Sequence, residues 1–155
     1  MMLVRKAQLD AFRAAAEESF FEEMVRYMRR FSPPLYRTLG DEKLEAIVRA
    51  GIARAAGYGF TRRGPIRLFL EMTWLFGSGF DTDPQIPWAQ EVLADPSYTD
   101  EMFRAGRLEA LARQFLDEVH GKDDEHAGAA LRRIETDAPG WVFGAQTWRQ
   151  DVEAA

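Results

Sequence analysis

The sequence predicts an all-α fold, a single compact domain of five or six helices around a buried central helix. Three observations predict it. Apolar residues recur at three- and four-residue spacing through most of the chain, the period of a helix that buries one face. No segment shows the two-residue alternation of a half-buried strand together with a second such segment to pair with. The chain also has the size of one domain. It holds 155 residues, 46% of them apolar and 29% charged, enough to bury about two-thirds of its unfolded surface without a disulfide or a structural metal.

The first helix is read from Gln8 to Phe31, where Leu9, Phe12, Ala16, Phe20, Met24, Tyr27 and Phe31 keep helical spacing. Ser32, Pro33 and Pro34 end it, because proline lacks the amide donor and disfavours helical geometry in the residue before it. A short turn over Leu35 to Leu39 comes next. Gly40 separates it from Asp41, a candidate N-cap ahead of Leu44, Ile47, Val48, Gly51, Ile52 and Ala55. This second long helix runs to Gly57–Gly59, and Ala46, Ala50, Gly51, Ala53, Ala55 and Ala56 predict a tight crossing with another helix. Thr61 or Pro65 starts the next helix. Its residues Ile66 to Phe76 are apolar on nearly every side, as expected of the helix at the centre.

Gly77 to Pro87 form the clearest non-helical segment, with Gly77, Ser78 and Gly79 read as flexible backbone. A short helix resumes over Trp88–Ala94, and Asp95, Pro96 and Ser97 interrupt it. After Thr99, Phe103, Leu108, Leu111, Ala112, Phe115, Leu116 and Val119 make a further amphipathic face. A helix beyond Gly121 is expected through Ala129 to Ile134. Residues from about 139 to 155 form a tail whose Trp141, Val142, Phe143 and Trp148 are too apolar for ordinary disorder, so they dock on the body or on a partner.

Composition excludes several function classes. With no cysteine, disulfide scaffolds, thiolate metal sites and cysteine nucleophiles are ruled out, and a reducing cytoplasm is compatible. No leader peptide fits the start, and no apolar run approaches the ~20 residues of a membrane span. A net charge of −5 argues against nucleic acid as a partner. The charge is uneven: residues 1–75 hold 13 Lys and Arg against 9 Asp and Glu, whereas residues 76–155 hold 7 against 16. The acidic second half serves solubility, attracts the basic half, or meets a basic partner.

No constellation has the spacing of a known catalytic or metal motif. Asp81 and Asp83 resemble the start of an oxygen-rich calcium loop, but later ligands are missing and Pro84 follows at once. Both are more simply read as acceptors for nearby turn amides. His120 and His126, six residues apart, do not match a zinc helix. Ser78 lacks the strand and helix of a nucleophile elbow, and Gly57–Gly59 lack those of a dinucleotide loop. Arg26, Arg29, Arg30 and Arg37, and separately Arg62, Arg63 and Arg67, form local basic patches that solvated helix faces explain. No metal and no cofactor is expected. The aromatic set Tyr58, Phe60, Trp74, Phe76, Phe80 and Trp88 is dense for a passive connector. Core packing accounts for it, unless some rings stay exposed as anchors for another protein.

Three groups of residues carry a family resemblance: Leu3-Val4-Arg5-Lys6-x-Gln8; Gly51-Ile52-x-Arg54-Ala55 with Tyr58-Gly59; and Phe76-Gly77-x-x-Phe80-Asp81-x-Asp83 with Pro87-Trp88-Ala89. Over about its first 95 residues the chain resembles small bacterial proteins of mostly unassigned role found with effectors of contractile type VI secretion machines. The resemblance implies an accessory role, such as holding or loading a secreted effector, and it assigns no catalytic residue; the leading expectation is a non-enzymatic cytoplasmic adaptor or chaperone. The expected protein-binding residues are Tyr58, Phe80, Asp81, Asp83 and Trp88 around the 77–88 loop, with Trp141 and Trp148 in the tail. Two alternatives stand beside this reading: an immunity protein that neutralises a toxin through the acidic half, and a metal-dependent enzyme using Asp81 and Asp83. Exposed helix faces could equally serve self-association.

Overall fold

The structure, a computed structural model, describes residues 6–121 together with Glu125 and Ala129. Among the described residues there are five helices and no strand: α1 (Lys6–Phe31), α2 (Pro33–Gly57), α3 (Arg63–Phe76), α4 (Pro87–Ala94) and α5 (Glu101–His120). The all-α architecture follows the apolar spacing of the sequence. Of the expected helix beyond Gly121, Glu125 and Ala129 are helical and the rest lies outside the described residues, as does the tail with Trp141 and Trp148. The chain divides within α5, after Leu111, and the unit before that division holds α1 to α4 and the first half of α5.

In that first unit α1, α2 and α3 pack against one another. α1 contributes Phe21, Met24, Val25 and Met28, all from its second half. Their spacing of three and four residues continues upstream through Glu17, Arg13 and Asp10, so the stripe that is apolar where it is covered is charged where it is not. α2 bends at Gly40, whose φ of 77° and ψ of 175° lie outside the helical region and suit only glycine. The bend separates a short Pro33–Leu39 piece from the long run after Asp41, as the sequence suggests. The Asp41 carboxylate, read from the sequence as a cap, instead accepts from Arg29 and from the Tyr36 hydroxyl.

The α2–α3 crossing is close at one point. A Cβ on Gly51 would lie 2.5 Å from Leu70 Cδ2, so the absence of a side chain there sets how near the two helices come. Of the six small residues, Gly51 and Ala55 are buried and Ala46, Ala50, Ala53 and Ala56 are exposed. α3 buries Pro65, Ile66, Phe69, Leu70, Met72 and Thr73, and leaves Arg67 and Leu75 in solvent, Leu75 at 51%. Surroundings on nearly every side, as its composition suggested, are therefore replaced by one covered face. The buried Thr73 hydroxyl is satisfied by the Phe69 carbonyl at 2.9 Å. A polar tie joins α1 to α3, where the Tyr27 hydroxyl donates to Glu71 at 2.5 Å.

α5 begins at a carboxylate with two roles. Glu101 Oε2 accepts from the Thr61 amide at 2.6 Å and the Arg62 amide at 3.1 Å, and Oε1 accepts from the Thr61 hydroxyl at 2.8 Å. It thereby caps α3 from outside that helix's own sequence, and it sits in the first turn of α5, where the helix dipole also favours negative charge. Thr61, expected to cap α3 by its side chain, instead donates to Glu101. At the start of α5, Asp100 Oδ1 accepts the Met102 amide at 2.8 Å.

Candidate protein-binding site

The segment between α3 and α4 is irregular but fully organised. The Gly77 amide donates to the Thr73 carbonyl at 3.0 Å, Phe80 to Gly77 at 3.2 Å, Thr82 to Gly79 at 3.0 Å and Ile86 to Asp83 at 2.9 Å. Successive tight turns thus satisfy the backbone that helix would otherwise satisfy. The φ of 97° at Gly77 explains a glycine at the α3 terminus. Reading Gly77, Ser78 and Gly79 as flexible is therefore corrected, since these residues form bonded turns that aim Phe80 and Asp81 inward.

Phe80 is fully buried, and its ring lies 4.9 Å from that of Phe69. Phe69 also meets Tyr58 at 5.9 Å and Phe60 edge-on at 6.4 Å. It is the hub of an aromatic cluster joining the end of α2, the middle of α3 and the loop. Asp81 is also fully buried. Its Oδ2 accepts from Arg54 Nε at 2.5 Å and from the Tyr58 hydroxyl at 2.8 Å. A charge can be held inside because a guanidinium and a phenol from α2 neutralise and solvate it. Its Oδ1 has no hydrogen-bond partner.

The bond to Asp81 raises the Arg54 pKa above its ordinary value, with burial working against it. Burial raises the Tyr58 pKa, and the hydrogen bond to Asp81 raises it further. Near neutral pH Arg54 stays charged and Tyr58 stays protonated, as donors to the Asp81 carboxylate. The cluster is a joint: it fastens the loop to α2.

The sequence-predicted binding residues separate accordingly. Phe80 and Asp81 are corrected, because zero exposure removes them from any surface a partner could touch. Tyr58 is half-buried and committed to Asp81. Asp83 is half-buried, and its Oδ1 accepts the Gln85 amide at 2.8 Å, the turn role its position suggested. Trp88 is half-buried with its ring edge-on to Phe76 at 5.8 Å. Trp141 and Trp148 lie outside the described residues. As possible metal ligands, Asp81 and Asp83 are held by different partners, and among the described residues no group of three or more His, Cys, Asp or Glu is placed to hold a metal ion. His120 is exposed, its Nδ1 3.0 Å from the Leu116 carbonyl, and His126 lies outside the described residues. The basic patches are largely paired: Arg26 with Glu22, Arg29 with Asp41, Arg62 with Glu101, Arg63 with Glu23 and Arg67 with Glu71.

A surface that sequence reasoning missed lies on the opposite side of α2. A groove of about 700 Å³ runs between the middle of α1, the second half of α2 and the start of α3. Phe20, Phe21, Ile52 and Ile66 contribute apolar surface, and Ala14, Ala16, Ala53 and Ala56 leave the space between the helices unfilled. Glu17 and Glu18 add negative charge from α1, while Arg49 and Arg63 add positive charge from α2 and α3. Arg49 stacks over the Phe21 ring at 3.9 Å, so its charge is available while its stem covers apolar surface. The signal was present in the small residues of α1 and α2. The number on α2 suggested close contact, whereas only Gly51 and Ala55 are buried there, and Ala53 and Ala56 line the groove.

Two of the three motif pieces behind the family resemblance also acquire a physical meaning. They converge, because Arg54 and Tyr58 from the second piece bind Asp81 from the third. Residues far apart in sequence are thus explained by one buried joint, which fastens the loop to the end of α2. No family model matches the chain, and no curated protein or solved structure is significantly similar to it.

Proposed function

We propose that this chain is a non-enzymatic protein-binding adaptor or chaperone for a secreted bacterial effector, acting in the cytoplasm before export. The observation that supports the reading is the groove of about 700 Å³ with its apolar lining and charges of both signs. An amphipathic helix of the effector fits such a groove by laying its apolar face between α1 and α2. A basic flank on that helix would meet Glu17 and Glu18, and an acidic one would meet Arg49. The aromatic loop first suggested as the recognition surface contributes indirectly by holding α2 and α3 in place.

Co-expression with the product of the neighbouring effector gene tests this directly. A stable complex is expected. Ala53→Glu and Ala56→Glu, both on exposed positions of α2, should abolish it while leaving the melting temperature unchanged. If those variants bind as well as the parent chain, the groove is not the site. If expression protects cells from the effector's toxicity without affecting its delivery or stability, the protein is an immunity factor instead.

A further inference from the structure

The first half of α1 takes no part in the core. Residues 8–19 are exposed throughout, Phe12 at 71% and Leu9 at 45%. An isolated helical segment that displays a phenylalanine and a leucine to water is unusual unless something covers it. Two neighbouring stripes run along it. Leu9, Phe12 and Ala16 follow one another by three and four residues, and Lys6, Asp10, Arg13 and Glu17 follow by four, three and four.

The charged stripe identifies what covers the apolar one. Read along the chain it alternates positive, negative, positive, negative, and read backwards it has every sign reversed. Laid antiparallel against its own copy, Lys6 faces the second copy's Glu17 and Asp10 faces the second copy's Arg13, and one register satisfies both pairings. Laid parallel and in register, every position would oppose a like charge. From the charge pattern and the exposed apolar stripe we infer that the N-terminal half of α1 pairs antiparallel with the same segment of a second copy, forming an isologous dimer. The two-fold axis passes between Ala11 and Phe12. The two Phe12 rings meet beside it, flanked by Leu9 and Ala16, with the charged stripe along one edge. Among the described residues, the side chains that α1 buries against α2 and α3 begin at Phe21. A contact of about 18 Å, three helical turns, is small, so the dimer should be micromolar or weaker. Ala16 and Glu17 also line the groove described above, so a second copy on this stripe and a helix in the groove compete for those two residues.

Sedimentation equilibrium of the full chain at low salt should show reversible dimerisation. Lys6→Glu and Glu17→Lys should each weaken it about tenfold, since each places like charges together twice per dimer. The double variant K6E/E17K should recover the parent affinity, and Phe12→Ser should abolish association. All four should keep the parent melting temperature under conditions where the chain is monomeric, which separates loss of pairing from loss of fold. A chain that is monomeric at every soluble concentration overturns the inference. So does a double variant as weak as the single ones, or a dimer indifferent to all of these changes.

Discussion

The loop between α3 and α4 and the first half of α1 reverse what their local sequences suggest. The loop has glycines, prolines and polar residues, yet it carries the fully buried Phe80 and Asp81. The start of α1 is an unbroken helix with regular apolar spacing, yet its residues 8–19 all lie in solvent. Regular structure satisfies the backbone wherever it stands, and it says nothing about whether another element covers the side chains. Burial follows from coverage. The loop is folded back over α2 and α3 by its turns, while no described element buries residues 8–19 of α1.

The largest expected effect comes from making one substitution in both regions. Phe80→Ala should cost about 3–5 kcal/mol, because it removes a fully buried ring from the cluster around Phe69. Phe12→Ala, at a concentration where the chain is monomeric, should change stability by no more than about 0.5 kcal/mol. Urea denaturation measures both. Similar costs at the two positions would erase the contrast and mean that α1 is covered within the monomer.

The next effect concerns how the loop is fastened. Arg54 is partly exposed, but Asp81 is wholly enclosed, so removing the arginine leaves a carboxylate inside with only the Tyr58 hydroxyl as donor. Arg54→Met should therefore cost about 3 kcal/mol. Tyr58→Phe, which takes one hydrogen bond from a group still paired with a charge, should cost about 1 kcal/mol. Combining Arg54→Met with Asp81→Leu should be no worse than the first change alone, since no uncompensated charge is left. If Arg54→Met is nearly neutral, water reaches Asp81 and the loop is looser than its turns indicate.

These contrasts show which physical information the sequence held. Helix positions were legible because their period and punctuation are local: Pro33 and Gly40 mark the entry to α2 and its bend, and Gly77 and Pro87 bound the loop. Asp83 was legible for the same reason, its partner being two residues away. Asp81 was not, because its partners lie 27 and 23 residues earlier on α2, and no spacing rule connects them. The groove escaped for a related reason. Alanine permits close packing and also leaves space when packing does not occur, and only the placement of α1 relative to α2 decides between the two.

An effect as small as that of Tyr58→Phe concerns Glu101, which does for the α2–α3 connection what Asp81 does for the loop. Burial acts to raise the Glu101 pKa. Bonds from the Thr61 and Arg62 amides and the Thr61 hydroxyl, with the Arg62 charge, outweigh it and leave the pKa below the ordinary value. A carboxyl with a lower pKa in the folded state binds fewer protons there than in the unfolded chain. Its stabilisation is complete above the unfolded value of about 4.3 and fades as pH falls through the lower folded value. Glu101→Gln should thus cost about 1 kcal/mol at neutral pH, and the cost should shrink as the medium is acidified below the unfolded value. Denaturation of both proteins across that range reads the difference. A cost that stays flat would show that Glu101 contributes by shape alone, in contrast to Asp81, whose carboxylate is paired with Arg54.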